Sequence, residues 1–381
     1  VQGDLLSFVA PAWRAPAHVR ALTTTRVGGI STYIREMIKA LEVLDTTHQY
    51  TILHSRKARE NLSPRFRRFN LWTPSHNRIE RLALAVELTR LRLDVLHSTD
   101  YIPPLWGAKR YVISVHDLTF LHYPQFLTRD SRRYYNDQIR AAVNQADHIL
   151  TLSKASKRDI VQLLGVPADK ISVQWCGVDS TFRPLPIDVV ERTRCELELP
   201  PTFILFVGTF EPRKNIAGLI NAYQLLRARW KDAPPLVLVG KRGWMFEETM
   251  AHIEASGLRD HILWRENVAH ESLPAVYNAA SVLVMPSHYE GFGLPPLEAM
   301  ACGTITVVSS RSSLPEVVGD VGHTVNPDDQ AAIADALHHA LTDDVWRTTM
   351  RARGLERAKI FTWERTARIA LDAYHTVMNT R

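Results

Sequence analysis

Two carboxylates, Glu290 and Glu298, flank the glycine turn of SHYEGFGLPPLEAMACG, residues 287–303. The apolar run Val282–Met285 before it reads as a buried parallel strand. Gly291 and Gly293 let the backbone turn sharply, and Pro295 and Pro296 suit the first turn of a helix. Strand, glycine turn and helix start present free amides and a positive dipole end to an anion. The third position of a dinucleotide glycine fingerprint is held by Pro296, which argues against a nicotinamide site. A second anion candidate follows the apolar run 203–207: Gly208, then TFEPRKN with Arg213 and Lys214 adjacent. A planar fork beside a point charge suits a diphosphate, although an exposed basic pair is the plainer alternative. His116 ends another strand, YVISV, where a neutral imidazole can donate to a hydroxyl or carbonyl. Gly28 and Gly29 precede a helix whose Ile34, Ile38 and Leu41 form an apolar stripe.

These residues need strands to hold them. Strands are predicted at 19–24, 50–53, 70–72, 94–97, 111–115, 149–152 and 171–174 in the first half. In the second they fall at 203–207, 236–239, 261–264, 282–285 and 304–308. Helices alternate with them throughout, including 32–44, 79–90, 131–145, 154–164, 215–227, 246–256 and 273–280. Two more, 329–341 and 363–378, close the chain. Such alternation predicts parallel sheets covered on both faces. The proline-punctuated stretch 177–201 breaks the rhythm and is read as a linker. The expected division is an N-terminal Rossmann-like domain over 1–183, with an irregular extension at 1–17, then a C-terminal one over 184–361. The final helix, 362–381, is expected to return to the first domain, with Thr362 as its N-cap.

With 381 residues, the chain is long enough for two cores. Hydrophobic residues make up 45% and charged ones 23%, as in globular proteins. No apolar run is long enough to span a bilayer, and no secretory signal is read at the N-terminus. Cys176, Cys195 and Cys302 are isolated, so neither a metal cage nor a disulfide framework is expected, and a cytoplasmic location is. The net charge is +6, and cations gather at Arg56, Lys57, Arg59, Arg65, Arg67, Arg68, Arg78 and Arg81. That stretch is either a solvated face or a contact for anionic lipid, peripheral on the inner face of the membrane, or for a polyanion. No nucleic-acid-binding motif accompanies the charge.

Taken in order, GGIS, VHDL, GVDSTFRPL, GTFEPRKN, EGFGLPPLEAMACG and LPEVVGD resemble glycosyltransferase family 4 over nearly the whole chain. The resemblance implies the GT-B architecture, two Rossmann-like domains facing a cleft. It also implies a retaining, metal-independent transferase with a nucleoside diphosphate sugar as donor. Arg213 and Lys214 would bind the diphosphate, Glu298 the ribose hydroxyls, and Glu290 would lie near the transferred sugar. Amides of Gly291, Phe292, Gly293 and Leu294 would meet sugar or phosphate, Gly208 would line the donor site, and Asn267 and Val268 would read the base through backbone groups. Gly28 and Gly29 would close over the diphosphate, and His116 would touch the sugar. VHDLTFLHYP is most similar to mannosyltransferases of surface-polysaccharide assembly. GDP-mannose is therefore the first donor expected and UDP-glucose the alternative, with a glycan or lipid-linked acceptor. A non-catalytic binding subunit on the same fold is the rival reading. Its expected mark is loss of a key group, and Arg213, Lys214, Glu290, Glu298 and His116 are all present.

Overall fold

The computed structural model describes residues 28–58, 61–74, 79–126, 129–243 and 246–379. The expected strand at 19–24, the extension at 1–17, and Arg59 and Arg78 lie outside the described residues. Every strand pairing described is parallel. The chain divides into two units, one running to Gly177 and resuming at Thr362, the other spanning Val178–Phe361.

Among the described residues, the first unit holds two sheets. The smaller pairs β1, Thr51–Ser55, with β2, Arg67–Leu71. The larger runs in chain order: β3, Leu93–Ser98; β4, Ala108–Ser114; β5, His148–Thr151; β6, Ile171–Val173. β3 and β5 are buried along their whole length, so helices must cover both faces. Helix Gly29–Leu44 buries Tyr33, Ile34, Met37, Ile38 and Leu41 and packs on the final helix, Trp363–Asn379. That final helix also lies along the four-stranded sheet. Deep in this packing, His97 bridges Tyr374 Oη at 2.9 Å and Ser114 Oγ at 2.8 Å, tying the last helix to β3 and β4. The Thr362 hydroxyl accepts from the Arg365 amide at 3.2 Å and so caps that helix.

The second unit holds one six-stranded sheet. Its strands are β7, Ile204–Val207; β8, Leu236–Val239; β9, Ile262–Arg265; β10, Val282–Met285; β11, Ile305–Ser309; and β12, His323–Val325. Their order is β12-β11-β10-β7-β8-β9. The chain therefore winds outward from β7 through β8 to β9, then returns to β7's other side with β10. β7 and β10 pair side by side at the switch point, the place on such a sheet where ligands bind beyond the carboxyl ends of the strands. Leu219, Ile220 and Tyr223 of helix Ile216–Arg229 and Ile333 and Leu337 of helix Gln330–Thr342 belong to one core with β7, β8 and β10.

Three expectations need correction. The boundary falls after Gly177, not Arg183, because residues 178–185 are held by the second unit. The Val178 amide donates to the Phe361 carbonyl, the Phe182 ring meets Tyr277, and the Leu185 amide donates to Asn278. A Cβ on Gly177 would lie 2.2 Å from the Trp363 nitrogen, so only glycine fits at this crossing. The stretch read as a linker contains helix Ile187–Glu196. Its single buried side chain, Val190, leaves almost no apolar period to detect. A helix at Asp344–Ala358 was not predicted either, because it buries only Met350, Gly354 and Ala358. Small residues at helical spacing carry little hydropathy contrast.

Candidate functional site

Arg213 and Lys214 lie in a short turn after β7, and Glu290 in the loop after β10, on the two sides of the switch point. Glu290 divides its oxygens between them. Lys214 Nζ donates to Oε1 at 2.6 Å, and Arg213 Nη1 to Oε2 at 2.6 Å. Arg213 Nε donates in addition to Glu211 at 2.9 Å. Burial alone would raise the Glu290 carboxyl, but the two cations outweigh it and hold it at about 2. Burial and the neighbouring Arg213 push Lys214 below its ordinary value, and Glu290 opposes them. Both Lys214 and Glu290 are 7% exposed, so the ammonium is a fixed cation in a poorly solvated place.

Backbone contacts lock these loops. The His288 amide donates to the Arg213 carbonyl at 2.8 Å. Asn215, in the left-handed region at φ 55°, donates its amide to the carbonyls of Pro286 and Pro327. The Ser312 hydroxyl accepts from the Glu290 amide at 3.1 Å, and the Ser313 hydroxyl donates to the Glu290 and Phe292 carbonyls. Asn215, Ser312 and Ser313 went unnoticed in the sequence. The serines stand directly before LPEVVGD, and nothing local marks them.

Gly293 opens helix Leu294–Ala301 at φ 124°, with the Leu314 side chain 2.7 Å from where a Cβ would sit. Gly291 has no such positive φ. Pro295 and Pro296 lack N–H groups, so donors at this helix start must come from the turn itself, Gly291–Leu294. The Phe292 side chain is buried beside Phe361. Glu298 points into the fold, where Tyr277 Oη donates to its Oε2 at 2.7 Å. Burial raises its carboxyl to about 7, the Tyr277 bond opposes this, and Asp179 adds to it. Tyr277 was placed on its helix, Leu273–Ala279, but not in the site; a buried tyrosine needs a partner, and that was the available signal.

Other expected residues fare differently. The Gly208 amide donates to the Val239 carbonyl and so extends the sheet ladder, and the residue stands directly after β7 on the edge that carries Arg213 and Lys214. Asn267, exposed and left-handed at φ 59°, and Val268 follow β9 on the same sheet edge. Gly28, Gly29 and His116 belong to the first unit. Helix Gly29–Leu44 begins earlier than expected, at the glycines themselves, with no side-chain cap and no acidic residue in its first turn. Gly28 is extended, and a Cβ there would meet open space. The His116 Nε2–H is committed to the Thr99 carbonyl at 2.7 Å, and burial holds the ring down at about 4. The imidazole does donate to a carbonyl, but to one of its own unit, and the remaining nitrogen, Nδ1, is a buried lone pair without a partner among the described residues.

The glycosyltransferase family 4 model matches residues 27–182, and the glycosyl transferases group 1 model matches residues 191–359. The chain is 33% identical over 366 residues to O-antigen chain mannosyltransferase B of Escherichia coli, covering 91% of this chain and 95% of that one. It is 32% identical over 253 residues to the serotype-specific mannosyltransferase WbdA of Escherichia coli, there spanning 65% of this chain and only 31% of the relative. Among solved structures, sucrose-phosphate synthase from Thermosynechococcus elongatus superposes with a TM-score of 0.78 at 22% identity, over 97% of this chain and all of that one. HepE of Anabaena, in complex with UDP and glucose, gives 0.73 at 16% identity, over 93% and 98% of the two chains.

Proposed function

This chain belongs to glycosyltransferase family 4 and is a glycosyltransferase of GT-B fold, and on that premise we propose that it moves mannose from GDP-mannose to a growing surface glycan or its lipid-linked precursor. UDP-glucose is the alternative donor. The observation that carries the reading is the Arg213–Glu290–Lys214 cluster at the switch point of a parallel sheet. Two cations held in place by the buried Glu290 carboxylate, with Glu211 on the far side of Arg213, form a rigid, preorganised pair of donors, which suits a diphosphate whose charge grows as it leaves. Glu290 orients the cations and stands beside the sugar end of the donor. Turn amides of Gly291–Leu294 add donors, and Glu298, steadied by Tyr277, accepts from ribose hydroxyls. Backbone groups at Asn267 and Val268 read the base. On this reading no metal is required, because fixed cations and amides carry the neutralisation.

In the first unit, the uncapped helix start at Gly28 and Gly29 suits a phosphate, and His116 Nδ1 suits a hydroxyl donor. We assign transfer with retention. The acceptor oxygen bonds to the anomeric carbon as its bond to the phosphate oxygen breaks on the same face, and the acceptor's proton passes to the leaving diphosphate. The preference for mannose rests on the O-antigen relative, and with it a place at the cytoplasmic side of surface-polysaccharide assembly. A panel of nucleotide sugars tests it, read as nucleoside diphosphate released with a mannan-type or lipid-linked acceptor. Turnover fastest with GDP-mannose is expected. No turnover with any donor, together with no nucleotide-induced rise in Tm, overturns it.

A further inference from the structure

Among the described residues of the first unit, six large apolar side chains are exposed around helix Glu80–Leu88. Ile79, Leu82 and Val86 line its outer face at helical spacing, with Ile79 66% and Val86 61% exposed. The Trp72 amide donates to Glu87 on this helix at 2.7 Å, yet the residue is 72% exposed. The Leu105 amide donates to the Arg81 carbonyl at 3.2 Å, which seats exposed Leu105 and Trp106 along the same helix. The helix already buries Leu84, Ala85 and Leu88 on its inner side, so core packing does not explain the outer row. Scattered exposed apolar residues need no explanation, but a contiguous group with two tryptophans does.

The rim is cationic. Arg56 lies over the Trp72 ring at 4.5 Å, Lys57 follows it, and Arg90 stands just past the helix end, all exposed. The helix's own acids are withdrawn: Glu80 is buried, and Glu87 accepts from the Trp72 and Thr73 amides. Apolar residues flanked by tryptophan and arginine, with acids turned away, match the boundary between anionic headgroups and acyl chains.

We infer that the outer face of helix Glu80–Leu88, with Trp72, Leu105 and Trp106, is a docking surface for an anionic lipid bilayer. The sequence pointed only to a run of charge; the structure adds the apolar face that enters the headgroup layer. The inference stands apart from the donor reading, because vesicle binding is measured without any nucleotide sugar.

The test is co-sedimentation of the full chain with phosphatidylcholine vesicles, with and without phosphatidylglycerol. Binding is expected to anionic vesicles and to fall with salt. The double substitution Leu82→Asp/Val86→Asp should weaken it by about tenfold or more. Turnover with a water-soluble acceptor and the Tm should both be unchanged, since these side chains are already solvated. Brominated lipid should quench tryptophan emission, and Trp72→Phe/Trp106→Phe should remove most of that quenching. Equal binding to neutral vesicles, no binding to either kind, or unchanged binding by the Asp pair overturns the inference. Self-association that the Asp pair abolishes overturns it too, assigning the face to a second copy of the chain.

Discussion

Lys214 and Glu290 are a buried pair, and that changes what a substitution at either one reports. A lysine in a solvated cleft would be removable at little cost to stability. Here Lys214→Ala leaves the Glu290 carboxylate with Arg213 alone, so a loss of about 3 kcal/mol in stability is expected beside the loss of activity. The two effects separate in a double variant. Lys214→Met/Glu290→Gln should recover most of the Tm, because no uncompensated charge is left buried. Turnover should stay down by a hundredfold or more, since the leaving diphosphate still lacks its cation; about 3 kcal/mol in the barrier is typical for one such partner. Recovery of turnover with stability would remove Lys214 from the chemistry.

Glu298 makes a prediction with the opposite sign. Its folded value of about 7 lies above the ordinary carboxyl value of 4.5. Stability from its protonated form is present below about 4.5 and is lost as pH rises through 7. Glu298→Gln should therefore be more stable than the parent at pH 8, on the order of 2 kcal/mol, with the advantage gone near pH 4.5. The same variant should raise the donor KM. Tyr277→Phe removes the bond that favours the carboxylate, so donor affinity should demand a higher pH. Thermal melts and KM measured against pH check both, and a flat difference in Tm across that range would count against the burial of Glu298.

At the scale of elements, the turn into helix Leu294–Ala301 is the most constrained junction of the site. Gly293 sits at φ 124° against Leu314, and the two prolines that follow set the helix direction. Gly293→Ala puts a Cβ into that side chain at a backbone angle that disfavours L-residues. A cost of about 1–3 kcal/mol is expected, with donor affinity falling because Glu298 rides on the same helix. Gly291→Ala meets no such backbone demand and should be the milder change in Tm. Equal melts for the two variants would show that the junction tolerates a Cβ.

At the scale of the molecule, four buried histidines among the described residues of the first unit are held low: His54, His116 and His148 at about 4 and His97 at about 3. Burial is the main cause in each, with Arg68 adding to it at His54 and Lys157 at His148. The unfolded chain takes up their protons as pH falls below about 6.5, while the folded unit resists until about 4. Their contribution is present above about 6.5 and is lost as pH falls towards 4, on the order of 1–2 kcal/mol apiece at pH 5. Calorimetry should show the first unit's transition moving down between pH 7 and pH 5, with His148→Gln flattening the dependence. A first-unit transition unmoved by that acidification would contradict the burial of these rings.

Much of this was legible because the signals are local. Fully buried parallel strands read as continuous apolar runs, so β7, β8 and β10 could be placed to within about a residue or two. Glycine and proline marked the turn at 291–296, and strand polarity put Arg213, Lys214 and Glu290 on one sheet edge. The sequence by itself therefore determined two parallel α/β units, the types of charge at their edge and the kind of ligand they suit. Which groups meet along that edge depends on strand order, and strand order is settled by long-range crossover packing. Only the tertiary structure set β10 beside β7, so that Glu290 pairs with cations more than seventy positions away. It alone gave Glu298 its Tyr277 partner, turned the His116 N–H towards Thr99, and moved the division between units to Gly177, where a glycine must pass Trp363. These contacts join residues distant in the chain, and their energies come from burial and desolvation, which spacing does not encode.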